Sequence, residues 1–167
     1  MIKTAGFGGG CHWCTEAVFA SLKGVKAVRQ GWISSTGEND SWSEGVLVDF
    51  DTSEISFETL VEIHLYTHAS TSEHSMRDKY RSAVYVFDAQ DLNEVNSILG
   101  HLRSDFEGLV TKALPFVAFE SSRDELVDYY YSDPNRPFCE LYINPKLKLL
   151  LTRFASYANE AKIGTLE

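Results

Sequence analysis

The stretch that decides the fold is Ile2–Glu16, which reads IKTAGFGGGCHWCTE. Residues 2–7 predict a short strand, and the three consecutive glycines at 8–10 predict a tight turn, because glycine has no Cβ to restrict the backbone. An amphipathic helix is predicted over about 11–22. The first twenty residues therefore predict a strand–turn–helix unit that brings a cysteine to the first turn of the helix.

The segments that follow extend this unit into a repeating pattern. Residues 25–34 and 44–50 alternate apolar and polar positions around a Ser/Thr/Gly-rich loop, which predicts two antiparallel strands. Ser56 is a candidate N-cap for the next helix, and residues 82–88 predict a further strand rich in β-branched and aromatic residues. The order βαββαβ predicts an α+β fold, a two-layer α/β plait with a ferredoxin-like core and helices on one sheet face.

The last third of the chain predicts added elements, including C-terminal helices. A helix opens at Asp91–Glu94, and residues 114–119 predict a strand. Residues 122–125 read SRDE, a capping box for a helix that runs through Tyr131. Asn144-Pro145 begins a leucine-rich C-terminal helix, since proline is favoured at the first helical position.

Length and composition restrict the classes of protein to consider. The 167 residues, 44% hydrophobic and 23% charged, predict a single domain over 1–167. The formal charge of −9 argues against nucleic acid and against an anionic membrane as partners. No apolar signal core or membrane-length run is present in the sequence, so we expect a soluble, cytoplasmic protein.

The three cysteines are too few for a disulfide scaffold and favour thiol chemistry in a reducing compartment. Cys11 at a helix N-terminus would meet unpaired amides and the positive end of the helix dipole, which stabilise a thiolate. The simpler interpretation is a small core residue beside a glycine turn. With Cys14 it forms Cys-x-x-Cys, a weak indication of a thiol–disulfide oxidoreductase.

A metal site is the other chemistry that the residues suggest. His64 and His68 lie four residues apart on a predicted helix, and His74 follows. The helix lacks the glutamate of a zinc protease motif, and no second cysteine pair supports a structural zinc. We therefore expect no metal and no cofactor.

Several motifs, in order from about residue 5 to residue 150, together resemble those of the peptide methionine sulfoxide reductase A family. They are the glycine turn with Cys11-His12-Trp13-Cys14 and Glu16, then Ser43-Glu44-Gly45-Val46, Asp49-Phe50-Asp51, Tyr80-Arg81-Ser82-Ala83, Asp124 with Asp128-Tyr129-Tyr130, and Asp133-Pro134-Asn135-Arg136-Pro137-Phe138-Cys139. This family reduces oxidised methionine. A set of motifs in order is far more specific than one Cys-x-x-Cys.

The resemblance implies a role for each matching residue. Cys11 is the nucleophile on the sulfoxide sulfur, Glu44 donates a proton to the sulfoxide oxygen, Tyr129 hydrogen-bonds that oxygen, Asp124 positions the substrate backbone, and Trp13 with His12 contacts the substrate methyl group. A carboxylic acid kept neutral by burial suits this chemistry, because the oxygen leaves only once it is protonated.

The resemblance also implies how the cycle closes. Cys11 becomes a sulfenic acid, which a second thiol converts to a disulfide that thioredoxin or another dithiol reduces. Cys139 aligns with a family resolving cysteine and is favoured; Cys14 is the alternative, although two thiols on one helical turn need local unwinding. The substrate would be a methionine S-sulfoxide, free or protein-bound. The alternatives are a thiol–disulfide oxidoreductase and an inactive relative that binds methionine-containing peptides.

Three departures from the family pattern lie around the expected cleft. His12 stands where the family usually has phenylalanine, which puts a titratable ring at that position. The loop over 32–44 is short and lacks a second family tyrosine, and the stretch 68–80 is also short. We expect these changes to alter rate or substrate choice.

Overall fold

Strands and helices alternate through the first half of the chain, and shorter elements follow. The computed structural model describes residues 1–73, 76–77, 79–123 and 128–164. The strands are β1 (Ile2–Gly8), β2 (Val25–Ser34), β3 (Ser43–Asp51), β4 (Ala83–Val86), β5 (Lys112–Pro115) and β6 (Ala118–Ser121). The helices are α1 (His12–Ala20), α2 (Phe57–Thr67), α3 (Ala89–Leu102), α4 (Tyr129–Ser132), α5 (Asn144–Arg153) and α6 (Glu160–Ile163).

The elements predicted for the first half are confirmed. β1 and β2 occupy the predicted segments, and β3 and β4 lie within one or two residues of theirs. The Ser56 side chain caps α2 by accepting a hydrogen bond from the Thr59 amide at 3.1 Å. Local sequence suffices here because each segment has one clear periodicity and a matching boundary residue.

All six strands belong to one sheet, in the order β5-β4-β1-β3-β2-β6. β4 and β5 pair in parallel and the other neighbours are antiparallel. With helices distributed along the chain, the fold is of the mixed α+β class. This order places β1 and β3 side by side at the centre of the sheet. Because the two strands are antiparallel, the end of β1 lies next to the start of β3.

The sheet is strongly curled, because its two edge strands are joined by a very short link. Five strand spacings of about 4.8 Å would separate β5 from β6 by about 24 Å in a flat sheet. Pro115 and Ala118 are three residues apart and span at most about 11 Å. The Phe116 amide donates to the Val86 carbonyl at the end of β4, and the Val117 amide donates to the Ser34 carbonyl at the end of β2. The link therefore joins both ends of the curled sheet.

This curl corrects the prediction for residues 114–119. The segment is not one strand but the end of β5, the link and the start of β6, which pair with opposite edges of the sheet. The apolar residues read as one strand because local pattern carries no information on which neighbour each half pairs with.

Two apolar cores lie on opposite faces of the sheet. The larger core contains most of the buried residues of α1, α2, α3 and α5. The smaller core on the other face contains Ile33, Leu47, Ala83, Tyr85 and Leu114. A Cβ at Gly6 would lie 2.9 Å from Tyr85 Cβ, so glycine lets β1 pass close to this side chain.

Two predicted helix starts are wrong. α3 begins after Asp88, whose carboxylate accepts from the Asp91 amide at 2.7 Å, rather than at Asp91. The helix predicted from residue 122 through Tyr131 is not continuous, because Asp128 has a left-handed φ of 56° and acts as the N-cap of the four-residue α4. Asp124 lies outside the described residues.

The C-terminal helix begins at Asn144 as predicted, and a π-helical turn at Cys139–Ile143 precedes it. The short helix α6 follows near the end of the chain. No helix in the described part of the chain has the length and apolar character needed to cross a membrane.

Candidate active site

The glycine turn between β1 and α1 sets the position of Cys11. Gly9 has a φ of 152°, and a Cβ there would lie 2.4 Å from the His68 ring. Only glycine fits this position without strain, because a residue with a Cβ rarely adopts this positive φ and its Cβ would clash with the His68 ring. Cys11 follows as the N-cap residue of α1, with φ −58° and ψ 132°. Its sulfur therefore lies beside the first amides of the helix.

Side chains from outside the turn hold its carbonyls. The buried His64 ring bonds the Gly8 carbonyl through Nε2 at 2.8 Å, and Arg77 donates from Nη1 to the Gly9 carbonyl at 2.9 Å. The His68 ring, which stacks on His64, hydrogen-bonds Ser82 Oγ through Nε2 at 2.8 Å. These contacts fix the backbone that presents Cys11, and sequence analysis missed the role of Arg77.

Cys11 is the more acidic thiol of the Cys-x-x-Cys pair. The Cys14 side chain donates a hydrogen bond to its sulfur and the Trp13 and Cys14 amides point at it, which lowers the pKa of Cys11, although burial and the nearby Glu44 oppose this. The same hydrogen bond, together with burial, raises the pKa of Cys14. Cys11 is thus the thiol of the pair that loses its proton more readily.

The third cysteine lies in the π-helical turn before α5. Cys139 is 0% exposed, and its thiol donates to the Asp133 carbonyl with the sulfur and oxygen 3.7 Å apart. Burial raises the pKa of Cys139. All three cysteines are free thiols. Of the two predicted resolving cysteines, Cys14 contacts Cys11 directly and Cys139 lies in the π-helical turn behind it.

Glu44 lies near the start of β3 and close enough to Cys11 to affect its charge. It is only 6% exposed, and its Oε1 accepts a hydrogen bond from the His12 amide at 3.2 Å. His12 Nε2 lies 3.5 Å from the same oxygen, and Lys79 Nζ lies 3.6 Å from Oε2. The β1–β3 pairing brings the Glu44 carboxyl inside the protein, near Cys11.

The His12 ring is buried and held in one orientation. It is 5% exposed, and its Nδ1 lies 3.1 Å from the Gly31 carbonyl of β2. The Trp32 ring packs against it edge-on with ring centroids 5.3 Å apart. The predicted contact of His12 with a substrate methyl group stays a prediction, and the ring points at the Glu44 carboxyl.

Trp13 and Tyr129 form an aromatic stack beside Cys11. Their rings are parallel within 10° and 4.1 Å apart, Phe138 meets Trp13 edge-on, and the Arg136 guanidinium lies over the Tyr129 ring. This stack makes Trp13 part of an apolar wall. The hydrogen bond predicted between the Tyr129 hydroxyl and a sulfoxide oxygen stays a prediction, as does the role of Asp124.

Glu16 positions the segment that carries Tyr129, a role that sequence analysis missed. Its two carboxylate oxygens accept from the amides of Asp128 and Tyr129 at 3.0 and 3.3 Å, and from Gln30 Nε2 at 2.9 Å. Burial raises the pKa of Glu16. A charged residue in the middle of a helix whose other side chains are buried was the available signal.

A largely apolar cavity of about 680 Å³ opens next to the two cysteines of α1. Cys11, Cys14, Tyr80, Phe138 and Lys146 are among its lining residues. The Lys146 ammonium donates to the Thr67 carbonyl. Burial lowers the pKa of Lys146, and the two thiols oppose this shift, so this cation faces the sulfur atoms.

The histidines weighed as metal ligands are engaged in the turn. His64 and His68 stack with ring centroids 4.1 Å apart, and burial lowers the pKa of His68 to about 4. His74 lies outside the described residues. Within the ranges that the structure describes, no group of three or more His, Cys, Asp or Glu side chains could hold a metal ion.

A cysteine with a lowered pKa at a helix N-cap, near a buried carboxyl and a second thiol, is typical of cysteine-based redox enzymes. The chain belongs to the peptide methionine sulfoxide reductase family, whose model matches residues 3–158. It is 32% identical to the peptide methionine sulfoxide reductase MsrA of Pasteurella multocida, over 92% of this chain and 97% of that protein. It is 29% identical to the MsrA of Acinetobacter baumannii strain SDF, over 92% and 96%.

Solved structures share the fold. Reduced Mxr1 from Saccharomyces cerevisiae matches with a TM-score of 0.69 at 18% identity, over 80% of this chain and 87% of that one. Methionine sulfoxide reductase A of Corynebacterium diphtheriae matches with a TM-score of 0.67 at 20% identity, over 80% and 76%. Mxr1 in complex with Trx2 matches with a TM-score of 0.60 at 18% identity, over 74% and 83%.

Proposed function

We propose that this chain is a peptide methionine sulfoxide reductase that reduces methionine S-sulfoxide with Cys11 as nucleophile and Glu44 as proton donor. The observation that carries the proposal is the position of Cys11, a thiol of lowered pKa at the N-cap of α1 with a buried carboxyl near it. Family membership supports the reaction, and the curled α+β sheet is the scaffold. The order β4-β1-β3-β2 within the sheet supports a ferredoxin-like plait as its core.

Cys11 and Glu44 supply the electron pair and the proton that the first step of the reduction needs. The Cys11 thiolate attacks the sulfoxide sulfur and forms a sulfur–sulfur bond, while Glu44 transfers its proton to the oxygen. The hydroxyl then moves to the Cys11 sulfur as that bond breaks. Methionine leaves with its sulfur reduced by two electrons, Cys11 is oxidised to a sulfenic acid, and Glu44 remains as a carboxylate.

The next step forms a disulfide and releases water. What supports Cys14 as the first thiol to react is its hydrogen bond to the Cys11 sulfur. Cys11 is an N-cap with extended backbone rather than a helical residue, so the pair needs less rearrangement than two thiols within a helix. Cys139, which the resemblance favours, is buried and would require movement of the π-helical turn.

A dithiol reductant completes the cycle. Thioredoxin is the proposed partner, supported by the similarity to Mxr1, which has been solved in complex with Trx2. A reducing compartment such as the cytoplasm suits three free thiols. Around the cavity, Leu141 and Tyr142 are exposed apolar side chains, which suits sulfoxides carried on a polypeptide as well as free methionine sulfoxide.

The test is turnover of both sulfoxide epimers, as free amino acid and within a short peptide, with thioredoxin or a small dithiol as reductant. We expect methionine from the S epimer, and a loss of about 10³-fold or more in Cys11→Ser, because the nucleophile is removed. Lys148→Gln, on the exposed side of α5, is the matched control. Unchanged activity of Cys11→Ser, or no product from either epimer, would overturn the proposal.

A thiol–disulfide oxidoreductase is the second candidate, and the Cys14–Cys11 hydrogen bond is the observation that favours it. This second function predicts that the protein reduces a protein disulfide when no sulfoxide is present. Comparing the two activities of the same preparation separates them, because only the reductase releases one methionine for each disulfide formed.

A further inference from the structure

We infer that His12 and Glu44 act as one carboxyl–imidazole pair that holds a single proton for delivery to the sulfoxide oxygen. The inference deepens the proposed function and rests on it for the use made of that proton. The existence of the pair rests on the contacts of the two side chains and does not depend on the proposed function. His12 is then a positioning residue that acts through Glu44.

Both side chains of the pair are largely buried. His12 is 5% exposed and Glu44 is 6% exposed, with the Trp32 ring packed against the imidazole. Both the amide and the ring of His12 approach the same carboxyl oxygen, at 3.2 Å and 3.5 Å. An imidazole nitrogen held against a buried carboxyl oxygen is a costly contact unless a proton lies between them.

The contact with β2 decides which imidazole nitrogen carries hydrogen. A backbone carbonyl only accepts hydrogen bonds, so Nδ1 donates to Gly31 and carries a proton in both charge states of the ring. The remaining nitrogen, Nε2, faces Glu44. Either the carboxyl is protonated and donates to a neutral imidazole, or a carboxylate accepts from an imidazolium. Both states contain one proton between the two side chains.

Charged groups from several elements of the fold surround the pair. The Cys11 thiolate lies on one side, and a thiolate and a carboxylate next to each other repel. Lys79 lies 3.6 Å from the other carboxyl oxygen but is more than half exposed, so water screens much of its charge. Glu16, one helical turn beyond His12, has its oxygens occupied by the amides of residues 128 and 129 and by Gln30. The contacts with β2 come from a carbonyl and an uncharged ring.

In the reaction the pair supplies the proton that the oxygen takes. Before attack the site holds the Cys11 thiolate and one proton on the pair. As the sulfur–sulfur bond forms, the proton passes from Glu44 to the oxygen, and the pair is left as a carboxylate and a neutral imidazole. Solvent returns one proton before the next turnover.

The imidazole gives the shared proton a second site next to the carboxyl. An imidazole nitrogen is a stronger base than a carboxylate oxygen. The pair therefore offers the proton a more basic site than a lone carboxyl group has. Phenylalanine, the usual family residue at this position, offers no such site.

The first experiment measures methionine formed in a single turnover, without reductant, as a function of pH. In His12→Phe and in His12→Gln we expect the alkaline limb of the rate to lie at least about one pH unit below that of the wild-type chain. Trp32→Phe is the matched control, because it changes the packing on the ring but leaves the titratable groups. We expect its limb to stay in place.

A purely structural role for His12 gives a different result. Packing loss lowers the rate by a similar factor at every pH and leaves the position of the limb unchanged in both His12 variants. That outcome overturns the inference. Circular dichroism of each variant before the assay excludes unfolded protein as the cause.

The second experiment needs no turnover. The ¹⁵N resonances of the His12 ring, assigned by their loss in His12→Phe, are followed against pH in the wild-type chain and in Glu44→Gln. We expect Nδ1 to stay protonated in both proteins, and the Nε2 transition to fall by at least about one pH unit in the variant, because its carboxylate partner is gone. An unmoved transition overturns the pair, whereas failure of the proposed function appears only as absent methionine in the Cys11 assay.

Discussion

The surroundings of Cys11 have two unlike sides, which suit different steps of the proposed reaction. The acid side consists of His12, Glu44 and Lys79; the thiol side consists of Cys14, Cys139 and Lys146. On the acid side two buried polar groups are held against each other by β2 and β3. On the thiol side, Cys14 and Lys146 line a largely apolar cavity of about 680 Å³. Proton transfer needs fixed geometry, and exchange with a reductant needs access.

Removing the acid proton is the sharpest way to test the acid side alone. Glu44→Gln keeps an oxygen for the His12 amide but supplies no carboxylic acid, and we expect the single-turnover rate to fall about 10²- to 10⁴-fold. The reactivity of Cys11 toward iodoacetamide should be kept or raised, because Glu44 raises the pKa of that thiol. Loss of alkylation together with loss of reduction would mean that the two sides are not separate.

Serine variants of the two other cysteines test the thiol side. In both we expect the first methionine to form at the wild-type rate, because Cys11 and Glu44 are intact. With thioredoxin, turnover of Cys14→Ser should fall about 10- to 100-fold, more than that of Cys139→Ser. Mass mapping after one equivalent of sulfoxide measures which disulfide forms. A Cys11–Cys139 bridge in the wild-type chain, with Cys14 free, would contradict the order proposed here.

The glycine turn positions Cys11 between the acid side and the thiol side. A substitution that strains this turn should lower the stability of the whole protein. Gly9→Ala forces a Cβ into the His68 ring at a φ of 152°, and we expect the free energy of unfolding to fall by about 1–3 kcal/mol. Gly10→Ala is the matched control, since a Cβ there meets nothing within 4 Å. Denaturant titration measures both, and equal losses would show that the turn is not held as tightly as its contacts indicate.

The smallest expected effect concerns the cation of the thiol side. Lys146→Gln removes a positive charge that faces both sulfurs, so the pKa of Cys11 should move up, toward its ordinary value of 9.0. The pH midpoint for alkylation of Cys11 should therefore rise, by less than about one pH unit. The midpoint in Lys148→Gln, on the exposed side of α5, should stay in place. A midpoint that falls in Lys146→Gln would show that burial of the thiol outweighs the charge.

Sequence patterns predicted the elements of the first half of the fold. They failed where a segment's structure depends on strands or side chains far away in the sequence. β2 and α2 follow from alternation and a serine cap, and both lie where they were predicted. Residues 114–119 are divided between two sheet edges, a choice made by β2 and β4 rather than by the segment itself. The left-handed Asp128 likewise interrupts a helix that its capping residues favour, and its amide is held by the distant Glu16.

By itself the sequence determined the strand–turn–helix unit, the cysteine at its helix start and the family to which the motifs belong. These depend on residues close together in the chain, where glycine, capping and helix-dipole chemistry act locally. The tertiary structure decided that Glu44 and His12 face each other in a largely buried site, with Oε1 and Nε2 3.5 Å apart. Such contacts depend on how strands and helices pack, because burial and charge pairing join residues that lie far apart in the sequence.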